Sequence, residues 1–264
     1  MRTGEYITDR LLPEFVAVAA AAKGIECVRM SGDWVLRLER QGTIRWVLGY
    51  QFDLNRAAAS ALAHDKVATH LALLQAGVAT VPHILARSVL SQPVAAELLE
   101  MEGPIVVKPV SGSGGRDVHI VADGASAASL IESKQTPGWA ASPFCDIAAE
   151  YRVIMLDGQA LLSYEKSQPV ELEGLRFFNL GLGAKPQDIS DPQLFRSVTE
   201  IAHNVCEHLS LRLASVDVVR LVTGELMVME VNDGLMMENY ARHSPEYKNR
   251  AATIYDAVVA AMFA

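Results

Sequence analysis

The sequence predicts an α+β fold on three observations. Apolar residues recur at helical spacing in several segments, whereas short β-branched runs bounded by turn residues fill others. The short runs pair across tight turns at Gln41-Gly42, Asp157-Gly158 and Thr223-Gly224, which sets neighbouring strands antiparallel. A mixture of helices with mostly antiparallel strands is the α+β class.

Taken in order, residues 6–23 read as a helix, with the alanine-rich run from Phe15 to Ala22 as its buried side. Ile25–Met30, Trp34–Arg40 and Thr43–Leu48 read as strands. Asn55 is expected to cap a helix through Ala63, and Asp65 another through Gln75. Gly77 ends that helix and Val81-Pro82 opens an extended stretch. Ile84–Arg87 is strand-like and Pro93–Glu100 helical; Ile105–Lys108 faces Asp117–Val121 across a glycine-rich loop. Ser126–Ser133 is helical, and a Pro137-Gly138 linker leads to an extended Ala140–Cys145. Tyr151–Leu156 and Gln159–Lys166 form a hairpin around Asp157-Gly158. Leu194, Val198, Ile201, Val205 and Leu209 mark an amphipathic helix over Gln193–Leu209. Strands Leu213–Leu221 and Glu225–Val231 follow, then a last helix from Pro245 to Met262.

Composition excludes several classes of function. Of 264 residues, half are hydrophobic, and the formal net charge is -8. That leaves no basic excess to hold a nucleic-acid backbone. Cys27, Cys145 and Cys206 are odd in number and far apart, so neither a disulfide framework nor a zinc site is expected, and a reducing compartment fits. The N-terminus has no signal-like core, and its alanine run is too short to span a bilayer, which points to cytoplasm. The seven histidines are scattered, and His203 and His208 lie five apart, off the spacing of a helical ligand pair. No Gly-x-Ser-x-Gly elbow is present.

Three stretches carry chemistry. In Val106-Val107-Lys108-Pro109-Val110-Ser111-Gly112-Ser113-Gly114-Gly115-Arg116, an apolar strand delivers a lysine and then a glycine-rich loop. Glycines let backbone N–H groups approach phosphate oxygens without a Cβ in the way. The loop lacks the Gly-Lys-Ser/Thr of a Walker A sequence, and Asp117 stands where a dinucleotide fingerprint needs its last glycine. A plain hairpin with a surface loop is the alternative. The second stretch sets Asp217 on one strand and Glu230 and Asn232 on the next. Residues two apart share a strand face, so three oxygen donors gather as Mg²⁺ requires. Carboxylates pointing into solvent are the alternative. The third, Ser142-Pro143-Phe144-Cys145-Asp146 followed by Glu150-Tyr151-Arg152, offers extended backbone suited to an adenine edge, although a buried strand and turn explain it equally well.

In this order the chain resembles the ATP-grasp superfamily, in particular the RimK-like and glutathione-synthetase-like branch. The matching stretch runs from about Asn55 to the C-terminus and opens with His64-Asp65-Lys66. The resemblance implies an ATP-grasp fold with two α+β lobes gripping ATP. Residues 1–63 would be a reduced N-terminal lobe and 64–264 the ATP-grasp domain, with a central lobe over about 80–145 and a metal and catalytic lobe over about 146–264. It implies that Lys66 and Lys108 contact ATP and that Ser111, Gly112, Ser113, Gly114 and Gly115 cover its phosphates. Pro143, Phe144 and Cys145 would form the adenine hinge, with Asp146 or Glu150 facing the ribose. Asp217, Glu230 and Asn232 would hold one or two Mg²⁺ ions, with Mn²⁺ as a substitute. Lys166 and Asn179 would steady the transferred phosphoryl group, and Arg152 and Arg176 would bind the substrate carboxylate. The implied activity joins a carboxylate to an amine of an amino acid or peptide through an acyl-phosphate. The alternatives are a kinase, an ester-forming enzyme, or a nucleotide-binding subunit without activity of its own. Asp233-Gly234-Leu235-Met236-Met237-Glu238-Asn239-Tyr240 replaces the Ser-Pro-Gly loop common in relatives, which leaves the acceptor open. The short N-terminal lobe leaves room for a homodimer or a partner subunit to complete the site. Neither nucleic acid nor membrane is an expected partner.

Overall fold

The computed structural model describes residues 9–112, 117–172 and 175–264. Helix α1 (Leu12–Ala21) leads into strands β1 (Glu26–Met30), β2 (Val35–Arg40), β3 (Thr43–Leu48) and β4 (Gln51–Phe52), which form one antiparallel sheet in sequence order. Strand alternation buries Leu36 and Leu38 on the inner face. There they join Leu12 and Val16 of α1 and Ile254, Tyr255 and Val258 of the C-terminal helix in a single core. The outer face leaves Ile44, Trp46 and Leu48 exposed.

Helices α2 (Ala57–His64) and α3 (Lys66–Gln75) follow. Asp65 caps α3 as expected, accepting from the backbone N–H groups of Val67 and Ala68. Asn55 does not cap α2: the helix begins at Ala57 behind Arg56, without a side-chain cap. The Asn55 amide instead donates to the carbonyls of Leu213 and Asp233 and accepts from the N–H groups of Arg212 and Leu213. Tertiary demand for that amide outweighs local capping.

The central lobe holds β5 (Ile84–Arg87), α4 (Ala96–Leu99), β6 (Ile105–Pro109), β7 (His119–Val121), α5 (Gly124–Ser133) and β8 (Trp139–Pro143). Its antiparallel sheet runs β5-β8-β6-β7. Ile105 and Val107 bury against Ala127, Ala128 and Ile131 of α5. Val106 and Lys108 therefore face the other way, with Ile120 directly opposite Val106.

The C-terminal lobe holds β9 (Ile147–Leu156), β10 (Gln159–Ser167), β11 (Val170–Leu172), β12 (Leu175–Phe177), β13 (Lys185–Asp188), α6 (Pro192–Leu209), β14 (Leu213–Leu221), β15 (Leu226–Asn232), α7 (Glu238–Ala241) and α8 (Pro245–Ala261). Its main sheet runs β13-β10-β9-β14-β15. Val198, Ala202, Val205 and Leu209 of α6 cover one face, packing on Tyr151, Val153, Val216 and Val218. The opposite face carries the charged residues. Two stretches of chain cross between the lobes. One is Phe144–Asp146, between β8 and β9. The other is the segment before β5, where Thr80 bridges Val228 and the Val81 N–H donates to the Val228 carbonyl at 2.9 Å.

Candidate active site in the cleft between lobes

The C-terminal sheet builds one wall of the cleft. Residues directly opposite in an antiparallel pair share a face. Register sets Tyr164 opposite Arg152, Arg152 opposite Asp217, and Asp217 opposite Glu230. Lys166 and Glu150 lie two residues from Tyr164 and Arg152, so they share that face as well. Four adjacent strands thus present one row of charge beneath the cleft.

Most of that row is sealed. Asp217 is 2% exposed. Arg152 grips it with both arms of its guanidinium, Nε to Oδ1 at 2.8 Å and Nη2 to Oδ2 at 2.6 Å. Lys166 Nζ lies 3.0 Å from the same Oδ1 and also donates to Glu150. Two cations and two carboxylates neutralise each other, which is what permits their burial. Burial alone would raise the Asp217 carboxyl, but Arg152 and Lys166 outweigh it and hold the group below the ordinary carboxylate range. Glu150 is pushed upward because its burial outweighs the pull of Lys166. Glu230 differs: its side chain is 30% exposed, and its carboxylate lies 3.5 Å from Lys66 Nζ.

The facing wall carries the lysines. Lys66, in the first turn of α3, donates from Nζ to the Gly112 carbonyl at 3.0 Å. It therefore joins the root of the glycine-rich loop to Glu230. Lys108 points from β6 into the same space and makes no ion pair among the described residues. Burial, followed by the like charge of Lys66, lowers it to about 8. His83 is buried with Nδ1 against the Val81 carbonyl at 2.8 Å and Nε2 unpartnered. Burial, then Lys108, hold it neutral at about 3. His83, Thr69 and Thr80 line the crevice between Lys66 and Glu230. No spacing in the sequence marks these three. Tyr164 does have a period-two signal, because it lies two residues before Lys166 on one strand.

The remaining expected residues fall in different places. Ser111 and Gly112 are exposed at the end of β6, whereas Ser113, Gly114 and Gly115 lie outside the described residues. Pro143 ends β8, Phe144 is 41% exposed, and its N–H donates to the Pro104 carbonyl at 2.9 Å. With partly buried Cys145, these residues form the crossing between the lobes. Asp146 pairs with Arg176 at 2.5 Å, away from the buried row. Asn179 stands in the turn before β13, its Oδ1 accepting from the Gly181 N–H at 2.8 Å. Asn232 is half-buried, two residues beyond Glu230.

Two lobes closing on a cleft with lysines on one wall and carboxylates on the other define an ATP-grasp protein. A family model described as ATP-grasp domain, R2K clade family 2, matches residues 85–250, and the chain belongs to that family. Solved structures share the fold at low identity. D-alanine–D-alanine ligase from Bacillus anthracis complexed with ATP is 21% identical with a TM-score of 0.59, over 79% of this chain and 67% of that one. The ATP-grasp ligase PsnB complexed with a minimal precursor is 16% identical, with a TM-score of 0.57. That match covers 79% of this chain and 64% of PsnB. D-cycloserine synthetase DcsG is 18% identical, TM-score 0.55, over 75% and 71% of the two chains. No curated protein matches the chain by sequence.

ATP-grasp ligases use ATP and Mg²⁺. The residues in the cleft fit both. Among the described residues no group of three His, Cys, Asp or Glu side chains could hold a metal alone. Mg²⁺ keeps water and phosphate oxygens as ligands beside one or two carboxylates, and Glu230 is such an accessible carboxylate. Lys108, which has no ion pair among the described residues, and the accessible Glu230 carry the charges that a nucleotide with its metal would require. Among the described residues, no helix is long and apolar enough to cross a membrane.

Proposed function

We propose that the protein is an ATP-dependent carboxylate–amine ligase. A substrate carboxylate attacks the γ-phosphorus of ATP, giving an acyl-phosphate and ADP. An amine then displaces phosphate and forms an amide. The observation that carries this reading is the juxtaposition, across one cleft, of Lys66 and Lys108 with the row that contains Glu230, Arg152 and Lys166.

Each residue has a role that its surroundings support. Lys66 and Lys108 bind phosphate oxygens, with Ser111 and Gly112 at the root of the loop above them. Pro143, Phe144 and Cys145 border the adenine, and of Asp146 and Glu150 it is Asp146, exposed beside that crossing, that would face the ribose, since Glu150 is engaged by Lys166. Glu230 and Asn232 would hold Mg²⁺, and the ion would supply positive charge against the phosphates of the nucleotide. Asp217 faces them, but both its oxygens are engaged, so its main work is to orient Arg152 and Lys166. Those two cations stabilise the charge that develops on the transferred phosphoryl group and the acyl oxygen. Asn179 and Arg176 border the substrate side.

The test is Mg²⁺-dependent ADP release with pooled amino acids and small carboxylates, beside Glu230→Gln. Release that needs both a carboxylate and an amine, and that is lost in the folded variant, supports the ligase. Phosphorylated product without amide would make the protein a kinase, and full activity in Glu230→Gln would remove the metal assignment.

A further inference from the structure

We propose that His83 is a positioning residue for Lys66. Its Nε2 lone pair holds one water in the crevice between Lys66 and Glu230, and that water accepts from the third N–H of the Lys66 ammonium. This role rests on the cleft being a nucleotide site and adds to it a residue that no motif marks.

Backbone sets the imidazole. The Val81 N–H donates to the Val228 carbonyl at 2.9 Å, which ties the segment before β5 to β15, the strand of Glu230. His83 Nδ1 lies 2.8 Å from the Val81 carbonyl, so Nδ1 carries the proton and Nε2 is left as an acceptor. His83 also stands two residues before Leu85, which is level with Lys108 across Ala140. Period two puts the ring on the lysine side of the central sheet. His83 is 3% exposed, and Nε2 has no hydrogen-bond partner among the described residues. Burial, then Lys108, bring its pKa down to about 3, so the lone pair is available throughout the neutral range. A buried polar atom of this kind is met by ordered water where there is room and a set of partners.

Both are present. The crevice lined by Lys66, Thr69, Thr80, His83 and Glu230 has a volume of about 10 Å³, the size of one water molecule. An ammonium carries three protons. Lys66 Nζ donates one to the Gly112 carbonyl at 3.0 Å and faces Glu230 Oε1 at 3.5 Å with a second. The third is the one that a water in the crevice accepts. That water gives one proton to His83 Nε2 and the other to a threonine oxygen. The Thr69 and Thr80 hydroxyls spend their own protons on the Leu62 carbonyl at 2.8 Å and the Val228 carbonyl at 3.2 Å, which leaves both oxygens as acceptors. Held at three points, the Lys66 charge meets the phosphates at one place instead of ranging over the reach of its flexible stem.

The experiment is a double-mutant cycle on the full chain, read as affinity for a non-hydrolysable ATP analogue with Mg²⁺. His83→Leu should weaken binding roughly tenfold, the loss of one hydrogen bond to a charged group. His83→Gln, whose amide oxygen reaches the place of Nε2, should restore most of it. In a Lys66→Met background, His83→Leu should change nothing further, because the residue it positions is gone. Equal losses in the two His83 variants, or a loss that simply adds to that of Lys66→Met, would overturn the role. The unsubstituted chain gives a second check: the ¹⁵N signal of His83 Nε2 should be that of a hydrogen-bonded imine nitrogen, and the signal of a free one would remove the water. Because these readouts are binding and ring state, a protein that passes them yet releases no ADP with any substrate would refute the ligase and leave the role of His83 standing.

Discussion

At the scale of single residues, the site depends on who pairs with whom. Removing one member of a buried ion pair strands its partner, at about 3–5 kcal/mol. Arg152→Met, which leaves Asp217 facing only Lys166, should therefore lower stability by about that amount in urea titration, beyond any loss of activity. The pH dependence has a definite sign. The folded Asp217 carboxyl is held below its unfolded value, so its stabilisation is complete above about pH 4 and is lost as pH falls through the lowered folded value. Asp217→Asn should flatten that acid limb. Lys108 works the other way. Lowered to about 8, it is charged below that pH and loses its proton above it. ATP affinity should fall as pH rises through 8, and Lys108→Arg, which stays charged, should remove the fall in a calorimetric titration. That Glu230 and Asn232 share a strand face was legible in the sequence, because alternation along β15 sets it. The closure of Asp217 by Arg152 was not, because it depends on the register between β9 and β14, 65 residues apart.

At the scale of elements, close approaches of backbone carry the assembly. A Cβ on Gly124, at the start of α5, would meet the Leu98 carbonyl at 2.1 Å. Gly124→Ala should separate α5 from α4 and destabilise the central lobe by about 1–3 kcal/mol, read by hydrogen exchange confined to that lobe. A Cβ on Gly234 would stand 2.7 Å from the Tyr50 carbonyl, where the N-terminal sheet rests on the loop after β15. The hairpin at Asp157-Gly158, the capped α3 and the amphipathic α6 were legible because their signals are local. β4, β11, β12, β13 and α7 were not. Each has four residues or fewer, too short for a periodicity to show. The beginning of α1 is a related case. It has no side-chain cap of its own, and the Leu12 N–H finds the buried carboxyl of Glu238 at 3.4 Å, across almost the whole chain.

At the scale of the whole molecule, the α+β class followed from strand and helix signals, but the attachment of the N-terminal segment did not. Its inner sheet face shares one core with α7 and α8, so Leu36, Leu38 and Val258 are buried together. A chain that starts at residue 55 should therefore expose that core, bind a hydrophobic dye and lose its cooperative melt, while a chain with the segment intact should not. The central lobe is suspended differently. It meets the C-terminal lobe along Phe144–Asp146 and along the Thr80–Val228 bridge. A body joined along two such lines is expected to pivot about the axis through them rather than to slide. Closure on a nucleotide as a pivot about that axis would bring Lys108 towards Glu230 along one arc while each sheet kept its own register, which a structure with bound nucleotide would check.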